Sequence, residues 1–138
     1  MTAVANTPSD LQLFAGDRIV VGEAVDALIM RAGFGAEVNG ILTRCMLHAP
    51  IILSAGRRWE WIFLTQARTA LRQATWADLV RIQVGWLHAG AELLLPTDDA
   101  DGTAERRWQQ RPLFGQPLPP WTAVVSAARS ASSVCGLW

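Results

Sequence analysis

The sequence has no lysine and no tyrosine, only two cysteines and two histidines, and no long apolar run. Its basic charge is all arginine, twelve residues against twelve acidic ones, so no net field draws nucleic acid or anionic lipid, and such a partner would need a local patch. Without lysine there is no Walker-type phosphate loop. Cys45 and Cys135 are too few and too far apart for a disulfide framework, which favours a reducing compartment, and we expect a cytoplasmic protein. No window reaches the roughly 18 uninterrupted apolar residues of a membrane span. The opening residues, MTAVANTPSD, lack the basic and apolar segments of a secretory signal, so no membrane partner is expected.

What is present is apolar material. About half the residues, 51%, are hydrophobic and seven are Trp. A chain of this length forms one domain and buries roughly two-thirds of its unfolded surface, enough for a core without a structural metal. We expect a flexible leader over 1–8, a single domain over 9–130 and a loose C-terminal tail over 131–138.

The domain is organised around Pro50 to Thr65, PIILSAGRRWEWIFLT. An apolar run, Ile51 to Leu53, meets a Ser54-Ala55-Gly56 break and then an alternating run in which Trp59, Trp61 and Phe63 share one face, giving strands over Ile51 to Ser54 and Arg58 to Leu64. That pattern predicts a β-hairpin. Before it, Ser9 can cap a short helix ending at Gly16, and Arg18 to Val21 is a short strand candidate. Val25, Leu28, Ile29 and Ala32 fall at helical spacing, which predicts a helix over Glu23 to Ala32. Three glycines and Asn39 between Gly33 and Gly40 read as a loop, followed by a strand or extended segment over Ile41 to Leu47.

After the hairpin, Ala67, Ala70, Leu71 and Ala74 form one helical stripe and Trp76, Leu79, Val80 and Gln83 another, with Thr75 and Asp78 as a capping box. Ala91 to Leu95 is a strand closed by Pro96, Thr97 to Glu105 a polar turn, Arg106 to Gln109 a brief strand, and Pro112 to Pro120 an extended linker. Pro120 suits the start of a helix in which Trp121, Val124, Val125 and Ala128 share a face. The sum is an α/β (α+β) domain, a mixed sheet with a central hairpin covered by amphipathic helices.

Candidate chemistry is sparse. Arg57 and Arg58 at the hairpin tip, with Arg106 and Arg107 beside Trp108, could meet phosphates while Trp59 or Trp108 stacks on bases; equally, these are solvated turn charges with Trp in the core. Cys45, His48 and His88 are potential zinc ligands without a fourth, and the acidic turn Asp98, Asp99, Asp101 ends a calcium-loop register on Trp108 where a Glu is needed. No G-x-S-x-G elbow accompanies the two histidines. Trp86, Trp121 and Trp138, next to Pro- or Gly-rich segments, and His88 are candidates for an interface or apolar ligand pocket, or simply cap the core.

The order of features IILSAGRRWEWIFL, GWLHAGAELLLPTD, RRW and PLPPW resembles the Prim-Pol domain of bifunctional DNA primase/polymerases, especially short actinobacterial relatives. The resemblance covers about 49–129 and more faintly 17–33. It implies the fold and a nucleic acid or nucleotide as the inherited partner class. The family's paired carboxylates belong on an early strand, where DRIVVGEAVD offers only Glu23 and Asp26 at the wrong spacing. Its third acid has no counterpart between Arg81 and Gly90, and Arg57, Arg58, Trp59 and Glu60 stand where its nucleotide-contacting His follows the turn. Ser54, Gly56 and Arg57 remain compatible with holding a phosphate. The expectation is a non-catalytic binding domain with no metal or cofactor. The alternatives are a protein-interaction or small-ligand module, or an enzyme of new chemistry, on the same scaffold.

Overall fold

The structure, a computed structural model, describes Phe14 and residues 16–96, 106–113 and 115–134. The leader, the short helix expected from Ser9, the acidic turn over 97–105 and Trp138 lie outside the described residues. Among the described residues, seven strands and three helices follow one another: β1 (Arg18–Val20), β2 (Val25–Arg31), α1 (Ala32–Arg44), β3 (Ile51–Ala55), β4 (Trp59–Gln66), α2 (Gln73–Arg81), β5 (Gly85–Trp86), β6 (Glu92–Leu94), β7 (Arg106–Gln110) and α3 (Trp121–Val134).

The expected hairpin is β3 and β4, and β4 is the middle strand of a five-stranded sheet ordered β5-β2-β4-β3-β7. Every pairing is antiparallel, including that of β1 with β6 in a separate ribbon, so the class is α+β with antiparallel rather than mixed sheets. Alternation along the strands sorts side chains to two faces. Leu28, Met30, Ile51 and Phe63 join residues of the three helices in one buried cluster. Ala27, Ile52, Ile62 and Leu64 join Ile19 and Leu93 of the ribbon in another. The large sheet is thus a middle layer, with helices on one side and the ribbon on the other.

This sandwiching explains the misreading of β2. A strand buried on both faces is a continuous apolar run, and VDALIM satisfies helical spacing as well as strand burial. The predicted helix over Glu23 to Ala32 is therefore a strand. The helix lies one segment later, over the stretch read as a glycine loop and a following strand. Here Gly35 serves packing: a Cβ on it would lie 3.0 to 3.2 Å from the Trp61 side chain, so its bareness brings α1 down onto that ring. Gly22 serves a turn instead, with φ at +110° and Ala89 so close that a Cβ would lie 2.7 Å from its Cβ.

Both α1 and α2 end in the same motif. The Leu47 N–H donates to the Leu42 carbonyl and the Met46 N–H to the Thr43 carbonyl, both at 2.9 Å. At the end of α2, the Val84 N–H donates to Leu79 at 2.9 Å and the Gln83 N–H to Val80 at 3.1 Å. These are Schellman caps, whose left-handed residue is usually glycine. Here Met46 (φ 61°) and Gln83 (φ 64°) occupy it.

Residues 67–72 are not helical, and α2 starts at Gln73 with Arg72 at its N-cap and no side-chain capping bond, so Thr75 caps nothing. α3 follows Pro120 as expected, with Trp121, Val124, Val125 and Ala128 buried, and it continues through Ala131 and Ser132, both buried, into the segment expected to be loose. Trp121 is 1% exposed and belongs to the core, so it is not an interface residue. Its position opens the amphipathic face that meets Trp76, with ring centroids 6.0 Å apart. No described helix is long and apolar enough to cross a membrane.

Candidate functional site

The hairpin end of the sheet brings together most of the residues that the sequence singles out for phosphate or base contact. Arg57 and Arg58 are exposed in the turn between β3 and β4. On the neighbouring strand β7, Arg106 stands opposite Ser54 and Arg107 opposite Leu53. Cross-strand partners share a face, so Arg107 lies on the helix side with Leu53 and Trp61. Trp59, two residues from Trp61, lies on that side as well, and the Arg107 guanidinium sits 5.9 Å from its ring centroid. Trp59 is 52% exposed. An aromatic ring with half its surface in water and a guanidinium beside it can stack a planar group while the cation meets its phosphate.

The four arginines gather at one end but divide between two faces. Arg106 lies with Ser54 and Glu60 on the ribbon side and donates to the Leu94 carbonyl at 3.1 Å, which ties β7 to the ribbon. Trp108 does not join them. It pairs with Ile52, so it faces the second cluster and packs edge-on against Phe14, centroids 6.0 Å apart. It is a core-edge residue, not a stacking surface.

The two acids of the early region do not form a pair. Glu23 is exposed in the turn before β2, whereas Asp26 is 0% exposed on the helix side of β2. The Asp26 carboxylate accepts the Arg68 backbone N–H at 2.7 Å and the Arg68 Nε at 3.0 Å, together with Nη2. Nη2 also donates to the Leu87 carbonyl, and the guanidinium lies 5.3 Å from the Trp121 ring centroid. Both carboxylate oxygens are therefore engaged in a structural ion pair. A lone Asp in VDALIM needs such a partner, and that was its signal in the sequence; nothing in the sequence pointed to Arg68.

Two clefts flank the Gln83 cap. The larger, about 650 Å³, is lined by Arg31, Gly33, Phe34, Glu37, Arg81 and Ile82 as well as Gln83. The second, about 540 Å³, is lined by Glu60, Val80, Gln83, Trp86 and His88 among others. Two of the expected pocket residues, Trp86 and His88, thus share a cleft, and Trp86 backs it with its ring on Trp76, centroids 4.5 Å apart. Arg31, Phe34, Arg81 and Gln83 were not singled out from sequence, because the cleft joins segments about fifty residues apart.

Cys45, His48 and His88 do not gather: among the described residues no three His, Cys, Asp or Glu side chains come together as a metal-holding group. His48 Nε2 is instead 2.7 Å from the Arg111 carbonyl oxygen, and Cys45 is an exposed free thiol at the end of α1. No protein-family model, no curated protein and no solved structure matches the chain.

Proposed function

We propose that this chain is a non-catalytic, Prim-Pol-like binding domain that takes single-stranded nucleic acid or a nucleotide at the hairpin end of its sheet. The observation that carries this reading is the exposed Trp59 ring with Arg107 beside it, next to Arg57 and Arg58. Aromatic surfaces flanked by arginine bind unpaired bases because every base offers a π-face and every linkage a phosphate. The ion pair that holds Asp26 supports the non-catalytic part, since it occupies one of the two early acids.

The test is a Trp-fluorescence titration with an unstructured DNA oligonucleotide. Quenching should saturate, and affinity should fall about twentyfold between roughly 50 and 200 mM salt if three phosphates are neutralised. Trp59→Ala should weaken binding about five- to hundredfold, the usual value of one stacked base. Indifference to DNA at low salt sinks the reading, and metal-dependent primer extension sinks its non-catalytic part. A second reading, a small-ligand module, is favoured by the paired clefts around Gln83 with Trp86 and His88 in one wall.

A further inference from the structure

We infer that the larger cleft, between the end of β2, the first turn of α1 and the end of α2, binds a small amphipathic anion: a carboxylate or phosphate head on an apolar or aromatic body. The cleft lies at the same end of the sheet as the hairpin, with Arg31 opposite Glu60, but its lining shares no residue with the Trp59–Arg107 set, so either reading can fail without the other.

Three observations meet there. The first is a held cation. The Arg31 guanidinium donates to the neutral amide oxygen of Gln83 and makes no ion pair among the described residues, although Glu60 stands opposite it across the strand pair, so its fork is oriented by an uncharged partner. Gln83 holds that position from a left-handed backbone conformation in which glycine would be more comfortable. The second is the wall. Phe34 and Ile82 supply apolar surface next to the arginine, and Arg81 adds a second guanidinium, which is paired with Asp78. The one acid in the lining is Glu37.

The third is an unexplained glycine. Gly33 has no positive φ, and a Cβ on it would meet no atom within 4 Å. Neither a turn nor close packing requires it. Its bareness leaves the backbone of the first turn of α1 open to the cleft. Gly85 in the second cleft also has no neighbour within 4 Å of a built Cβ. Glycine inside a strand marks places where another group approaches the backbone closely.

The experiment uses the full chain and three probes, phenyl phosphate, benzoate and inorganic phosphate, read by the amide shifts of Gly33 and Phe34 in ¹H–¹⁵N spectra and by calorimetry. Phenyl phosphate or benzoate should move those amides and saturate, and the better of the two identifies the head group. Arg31→Met should weaken that probe about tenfold or more, as losing a charge-assisted hydrogen bond does. Gly33→Leu should abolish the binding while leaving the melting temperature no lower than that of the parent, because its side chain enters open space and favours helix. That opposition separates a blocked site from a damaged fold. The inference is overturned if neither organic probe shifts these amides at millimolar concentration, if Arg31→Met and Gly33→Leu bind as the parent does, or if inorganic phosphate binds as tightly as phenyl phosphate.

Discussion

The two ends of strand β2 each carry a charged side chain, and the structure treats them in opposite ways. At one end Asp26, opposite Thr65, is sealed from water and meets a single arginine through its backbone and its guanidinium. At the other end Arg31, opposite Glu60, is exposed at the mouth of a cleft and leans on a neutral amide. A buried charge with every bond satisfied holds the fold in register. A charge at an open edge, oriented by an uncharged partner, costs the fold little and is available to a ligand. Residue type does not separate structural from functional charge in this chain; the surroundings do.

The comparison breaks most visibly at Asp26. Asp26→Ala strips Arg68 of its carboxylate partner, and because the Arg68 side chain keeps 24% of its surface in water the loss should be about 2–3 kcal/mol in urea unfolding. The double variant Asp26→Leu with Arg68→Met, which replaces both charges with apolar groups of similar reach, should recover most of that loss. If the double variant is as unstable as the single one, the pair is more than a mutually satisfied contact. If Asp26→Ala is nearly neutral, the contrast between the two ends of β2 disappears.

That same pair shows why part of the fold was legible and part was not. The hairpin, β6, β7 and α3 follow local rules: alternation, a Gly-containing turn, proline at a helix start. Those rules act over a few residues and need no distant partner. Residues 67–72 fail them because the Arg68 backbone N–H is taken by Asp26, forty-two positions away, which keeps the segment out of the helical ladder that its alanines suggest. β2 and α1 were exchanged because a doubly buried strand lacks alternation and because Gly35 answers to the Trp61 ring rather than to a turn. The hairpin arginines were found since the turn that exposes them is local. Trp108 was misplaced by the parity of one strand, which only the register with Ile52 reveals. The cleft was invisible, since Arg31 meets Gln83 only once the sheet has brought β5 beside β2.

Smaller effects sharpen the contrast at the open end. Met46 and Gln83 occupy equivalent positions in two helix caps, but the Met46 side chain is 90% exposed and holds no partner among the described residues, whereas Gln83 holds Arg31. Met46→Gly should therefore stabilise the protein by roughly 0.5–1 kcal/mol, through relief of the left-handed conformation alone. Gln83→Gly should gain less than Met46→Gly, and the shortfall in a thermal or urea comparison measures what the Arg31 contact contributes to the fold. Arg31→Ala should then shift stability by no more than about 0.5 kcal/mol, as for other exposed polar contacts. A loss at Arg31 approaching that at Asp26 would mean that both ends of β2 are structural, and the cleft would owe its cation to packing. A loss near zero leaves Arg31 oriented for something the folded chain does not itself supply.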